Sequence, residues 1–89
     1  MPPASFEFLV ASLRMQAEMA MGLIKMSDDQ PTDLEAARHL IDLLAMLEEK
    51  TKSNLTLEEQ RFLENSITEL RFRYVAAVGE ESKSKIVLP

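Results

Sequence analysis

The chain has 89 residues, 46% of them hydrophobic and 28% charged, with a net charge of −5. That length holds one domain, and the acidic balance argues against non-specific binding to nucleic acid or an anionic membrane. The absence of cysteine rules out disulfides, thiolate metal sites and cysteine catalysis, and a single histidine, His39, rules out a multi-histidine centre within one copy.

Two glycines and four prolines are too few for an all-β chain, which needs a turn every ~8–12 residues. The pattern instead predicts an all-α, three-helix up-down-up bundle over residues 5–79. Residues 1–4 form a lead-in and 80–89 a flexible tail. The first helix is expected at about 6–26, with Ser5 as its cap. Ser27-Asp-Asp-Gln-Pro31 then breaks the chain, because proline disfavours helix in the residue before it. The second helix is expected at 33–51, opened by a capping box of Thr32 and Glu35. A second box, Thr56 with Glu59, opens the third at 57–78, and Gly79 suits a left-handed C-terminal cap. Between helices two and three, Ser53 or Asn54 must turn left-handed, and asparagine tolerates that region better.

Helix two carries a broad apolar stripe of Ala36, Ala37, Leu40, Ile41, Leu43, Leu44 and Leu47. Helix three has Leu63, Ile67, Leu70, Tyr74 and Val78 on one face, with Phe62, Phe72 and Val75 off it. Helix one is over-supplied: fourteen of the 21 residues from Phe6 to Met26 are apolar, where a core-facing helix needs about three in seven. Phe6, Leu9, Leu13, Ala17, Ala20 and Ile24 form one stripe. Phe8, Met15, Met19, Gly22 and Met26 form another, nearly opposite. One stripe can face the bundle. The other has no partner within the chain, so it predicts an interface to a second copy and a helical homodimer. Gly22 would there permit close approach and the methionines would fill gaps.

Candidate chemistry is sparse. Glu35, His39 and Asp42 share one face of helix two, but three ligands on a single helix converge poorly, and the face reads as solvated. No serine or threonine has an evident base, since His39 is the only ordinary candidate and no second member can be placed. No glycine-rich phosphate loop exists. Lys50 and Lys52 precede a helix N-terminus, but Glu58 and Glu59 would repel an anion there. Asp42 and Arg71 are expected to make ion pairs or helix contacts. The sequence therefore predicts no catalytic, cofactor or metal residue. Arg14 and Glu18 interrupt the first apolar run, which argues against a signal peptide or a spanning helix and predicts a cytoplasmic protein.

The run from Ala37 to Thr56, with Ile41-Asp42, Lys50-Thr51 and Asn54-Leu55-Thr56, and then Leu70-Arg71 and Tyr74-Val75, is family-like. Together with Phe8-Leu-Val-Ala-Ser-Leu13 it resembles the domain-of-unknown-function family numbered eighteen forty-four. The resemblance covers about residues 6–75 and implies a small helical bacterial protein with no assigned activity. It supplies no catalytic residues. Relatives commonly carry glycine where this chain has Ser53, which implies a strained turn. The functional expectation is a non-enzymatic protein acting by self-association and contact with another macromolecule, such as an unidentified protein partner. The alternative is a binder of a small apolar ligand in a groove lined by methionine and phenylalanine.

Overall fold

A computed structural model describes residues 3–25, 27 and 29–86, the last five by backbone alone. Three helices follow one another: α1 (Phe6–Ala20), α2 (Leu34–Lys50) and α3 (Leu57–Ile86). Each packs on the other two, and no strand occurs among the described residues. The all-α, three-helix expectation therefore holds. α1 and α3 run parallel, with α2 antiparallel between them in sequence.

Local chemistry sets most boundaries. Ser5 Oγ accepts from the Phe8 amide at 3.0 Å and caps α1. At α3, Thr56 Oγ1 accepts from the Glu59 amide at 3.1 Å while Glu59 Oε1 accepts from the Thr56 amide at 2.8 Å, a reciprocal capping box. The cap of α2 sits one residue later than expected. Asp33, not Thr32, accepts from the Ala36 amide at 3.0 Å. Thr32 instead lies against Gly22: a Cβ built there would meet the Thr32 methyl at 2.9 Å. The Asp33 amide also donates to the Ala20 carbonyl at 2.7 Å, which ties the start of α2 to the end of α1.

The two glycines exchange their expected roles. Gly22 was expected inside helix one, but it has φ +81° and α1 stops at Ala20. The Gly22 amide donates to the Met19 carbonyl at 3.0 Å and the Leu23 amide to the Glu18 carbonyl at 2.9 Å. This is a Schellman closure, which only a residue free of a Cβ adopts without strain. Gly79, the expected cap, lies within α3, which runs on to Ile86. One glycine weakens a helix by only ~0.5–1 kcal/mol, and the next proline after it is Pro89. The segment expected to be a flexible tail from residue 80 is thus helical up to Ile86.

The core consists of Val10, Ala17 and Met21 from the α1 side, Ala37, Ile41 and Leu44 from α2, and Leu63, Ile67 and Leu70 from α3. Phe6, Leu13, Leu40, Leu47, Phe62 and Tyr74 pack around it. Val10, which lay outside both expected stripes, is fully buried, whereas Leu9 and Ile24 are exposed. Residues 6, 10, 13, 17 and 20 set the buried face, a phase shifted slightly from the expected stripe. Ile24 leaves it because α1 has already ended.

Candidate interaction surfaces

The described residues contain no group of three or more acidic or histidine side chains placed to hold a metal ion. Glu35, His39 and Asp42 are all exposed on α2. Arg71 is exposed on α3, and among the described residues neither it nor Asp42 has an ion-pair partner within the chain. The ionic cluster that does form is elsewhere. Arg14 of α1 donates to Glu69 Oε2 of α3 at 2.7 Å and to Ser66 Oγ at 3.3 Å, and Glu18 lies 3.8 Å from its Nε. Arg73 donates to the other Glu69 oxygen at 3.3 Å. Ser66 is fully buried, so Arg14 satisfies a hydroxyl that water does not reach. The Arg14 guanidinium beside Glu69 is the main cause that holds its carboxyl below the ordinary glutamate range, and Arg73 adds to it. These groups join two helices. Glu69 and Arg73 also border an open groove beside α3.

The surplus apolar surface occurs in two places. On α1, Phe8 and Met15 are 48% and 52% exposed, as the second stripe of helix one requires. The rest of the expected interface does not join them. Met19 is partly buried, Gly22 sits in the turn, and Met26 lies outside the described residues.

The second place is the C-terminal half of α3. A helix of 30 residues is ~45 Å long, about twice the length of α1 with 15. Because Arg14 sits level with Ser66 and Glu69, α1 ends near the level of Phe72, and α3 continues past it as an arm. On the arm Phe72 is 77% and Val75 70% exposed, the most exposed large apolar side chains described. Beside them runs an open groove of about 760 Å³. Met21, Leu23 and Leu34 form one wall, and Phe72, Ala76 and Ala77 the other. The groove opens beyond the end of α1, beside Met21 and Leu23, which follow that end in the chain. The sequence did carry a signal for it: Phe72 and Val75 fall off the main stripe, on the side of α3 away from Leu63, Ile67 and Leu70.

The family described as domain of unknown function DUF1844 matches residues 3–76. The chain belongs to this family. The match takes in α1, α2 and α3 as far as Ala76, so the far part of the arm lies beyond the DUF1844 match. No curated protein and no solved structure matches the chain.

Proposed function

We propose that this DUF1844 protein is a non-catalytic interaction module that self-associates and offers a further apolar face to another macromolecule. The observation that supports this reading is that two apolar surfaces on different helices, Phe8 with Met15 and Phe72 with Val75, stay uncovered by the chain's own fold. Exposed patches of this kind mark interaction sites in stable proteins. The net charge of −5 favours a protein partner over nucleic acid or an anionic membrane. No described helix is long and apolar enough to cross a membrane, and the reading takes the protein as cytoplasmic. Sedimentation equilibrium of the full chain tests the first half. A dimer is expected; a monomer at every accessible concentration overturns self-association.

A second reading, a site for a small apolar ligand, is favoured by the groove beside Phe72. It would take its ligand between Leu23, Leu34 and Ala76, not among Met15 and Met19, where the sequence placed it. Fluorescence of an apolar dye should then rise on mixing and be lost in Ala76→Trp, which fills the groove. An unchanged signal in that variant removes the ligand reading.

A further inference from the structure

We infer that the surface for a second copy is the α3 arm, paired antiparallel across a two-fold axis near Ala76 and Ala77. This deepens the self-association reading and rests on it. It moves the interface away from the α1 stripe.

Three features of the arm support the pairing. The first is an uncovered seam. Phe72, Ala76 and Gly79 recur at spacings of four and three, the repeat of helices that pack side by side. They lie on a part of α3 that α1 no longer reaches. The outer face of the arm has no cover either, since Val75 beside the seam is 70% exposed.

The second is shape. Among the described residues, a Cβ built on Gly79 would meet nothing within 4 Å, so the middle of the arm is shallow there. Ala76 is the next seam residue. Small side chains at the centre let two backbones approach closely. Phe72, at the edge, then has the partner's Gly79 side of the arm to lie against. A pair of arms buries both phenylalanines at once, which one copy alone cannot do.

The third is charge. Arg73 and Glu80 each follow a seam residue by one position, so they lie on the same flank of the arm. In an antiparallel two-fold pair, like flanks face each other. Arg73 and Glu80 are equally distant from the junction of Ala76 and Ala77. An axis placed there sets Arg73 of each copy beside Glu80 of the other, twice over. A parallel pair about the same seam would set the Arg73 and Glu80 flank of each copy against the opposite flank of the other, so neither residue would meet its counterpart or a charge partner from this set. The arm is thus self-complementary in one orientation only. Arg73 reaches this flank while its other contact, Glu69, is also held by Arg14.

The α1 face lacks this complementarity. Arg14, its central cation, is already committed to Glu69 and Ser66 of its own chain. Phe8 and Met15 are then left as the face for a different partner.

The test is sedimentation equilibrium on the full chain and on variants. All altered side chains are exposed or half-exposed, so the fold should survive, and far-ultraviolet circular dichroism verifies that it does. Phe72→Glu should shift the dimer to monomer, while Met15→Glu should leave it unchanged. Arg73→Glu alone and Glu80→Arg alone should each weaken the dimer severalfold, and the double variant should restore it. A wild-type dimer that survives Phe72→Glu, or that fails to recover in the charge swap, overturns the arm pairing but leaves self-association standing. A dimer lost in Met15→Glu and kept in Phe72→Glu returns the interface to α1. A monomeric wild type overturns both readings.

Discussion

Arg14 of α1 and Glu69 of α3 are joined by a charge-assisted hydrogen bond of 2.7 Å, and the same guanidinium reaches the buried Ser66 hydroxyl at 3.3 Å. The contact fixes the level at which the two parallel helices meet. It thereby decides how far α3 projects beyond α1. The two parts of the contact differ in worth. An exposed ion pair contributes little, whereas a buried hydroxyl stripped of its partner costs about 1–3 kcal/mol. Arg14→Met, which keeps the aliphatic stem, should therefore destabilise the fold by roughly that amount in urea denaturation. Adding Ser66→Ala should recover most of the loss. If the two losses simply add, Ser66 is not the group that Arg14 serves.

Glu69 makes stability depend on pH in a defined direction. Its carboxyl is held below the ordinary glutamate range, chiefly by the charge of Arg14. The folded state thus releases this proton more readily than the unfolded chain. The resulting stabilisation is fully present above the unfolded value of about 4.3 and is lost as pH falls through the lowered folded value. Glu69→Gln should flatten that part of the stability profile below about pH 5. A profile of unchanged slope would show that other carboxylates carry the acid response.

The turn at Gly22 bears two constraints at once. Its φ of +81° disfavours any side chain, and a Cβ would come within 2.9 Å of the Thr32 methyl. A left-handed conformation costs a non-glycine residue ~1–2 kcal/mol, to which the contact adds. Gly22→Ala should lower stability by at least ~1 kcal/mol. Combining it with Thr32→Ser, which removes the methyl, should relieve the contact and leave the dihedral penalty. Full recovery in the double variant would mean that the backbone carries no strain.

What the sequence made legible were the features written in local chemistry. Ser5 and the Thr56–Glu59 box mark their helix starts because each cap is a bond between neighbours along the chain. The stripe of α2, and that of α3 from Leu63 to Tyr74, are legible because their spacing alone decides which face can be buried, whereas Val78, expected on the α3 stripe, is exposed. The ends of α1 and α3 were not, because either glycine could stop a helix or sit within one. Gly22 stops α1 since its neighbours close a Schellman turn and the Ala20 carbonyl has a long-range donor in Asp33. No such donor is near in sequence, so the outcome depends on the packed fold. The Arg14–Ser66 contact joins residues 52 apart for the same reason. Of the expected interface, Phe8 and Met15 face outward, while the groove and the arm follow from where the two helices end.

Gly79 carries the opposite expectation to Gly22. It is helical, and among the described residues nothing lies within 4 Å of its Cβ position. Gly79→Ala should strengthen the arm by ~0.5–1 kcal/mol. The cleanest readout is amide exchange across residues 80–86 in the Phe72→Glu background, where a paired second copy does not contribute. Slower exchange is the expected result. Faster exchange would show that the arm needs the glycine for its backbone path.

The connection between α2 and α3 contains the one non-glycine residue with positive φ among the described residues. Ser53, not Asn54, takes the left-handed conformation, with φ 70°. Asn54 instead donates its amide to the Thr51 carbonyl at 2.9 Å and its side chain to the Lys52 carbonyl at 3.5 Å. Those bonds require the turn to be made one residue earlier, where serine has no comparable tolerance of positive φ. Ser53 is exposed and no hydrogen bond of its side chain competes with a change. Ser53→Gly removes a left-handed penalty of ~1–2 kcal/mol but loosens the unfolded chain by part of that amount. The net expectation is a gain of up to about 1 kcal/mol, read as a higher urea midpoint with an unchanged slope. Ser53→Val, with a β-branched side chain at the same φ, should move the midpoint the other way. If both variants shift it in one direction, the dihedral at residue 53 is not what limits this turn.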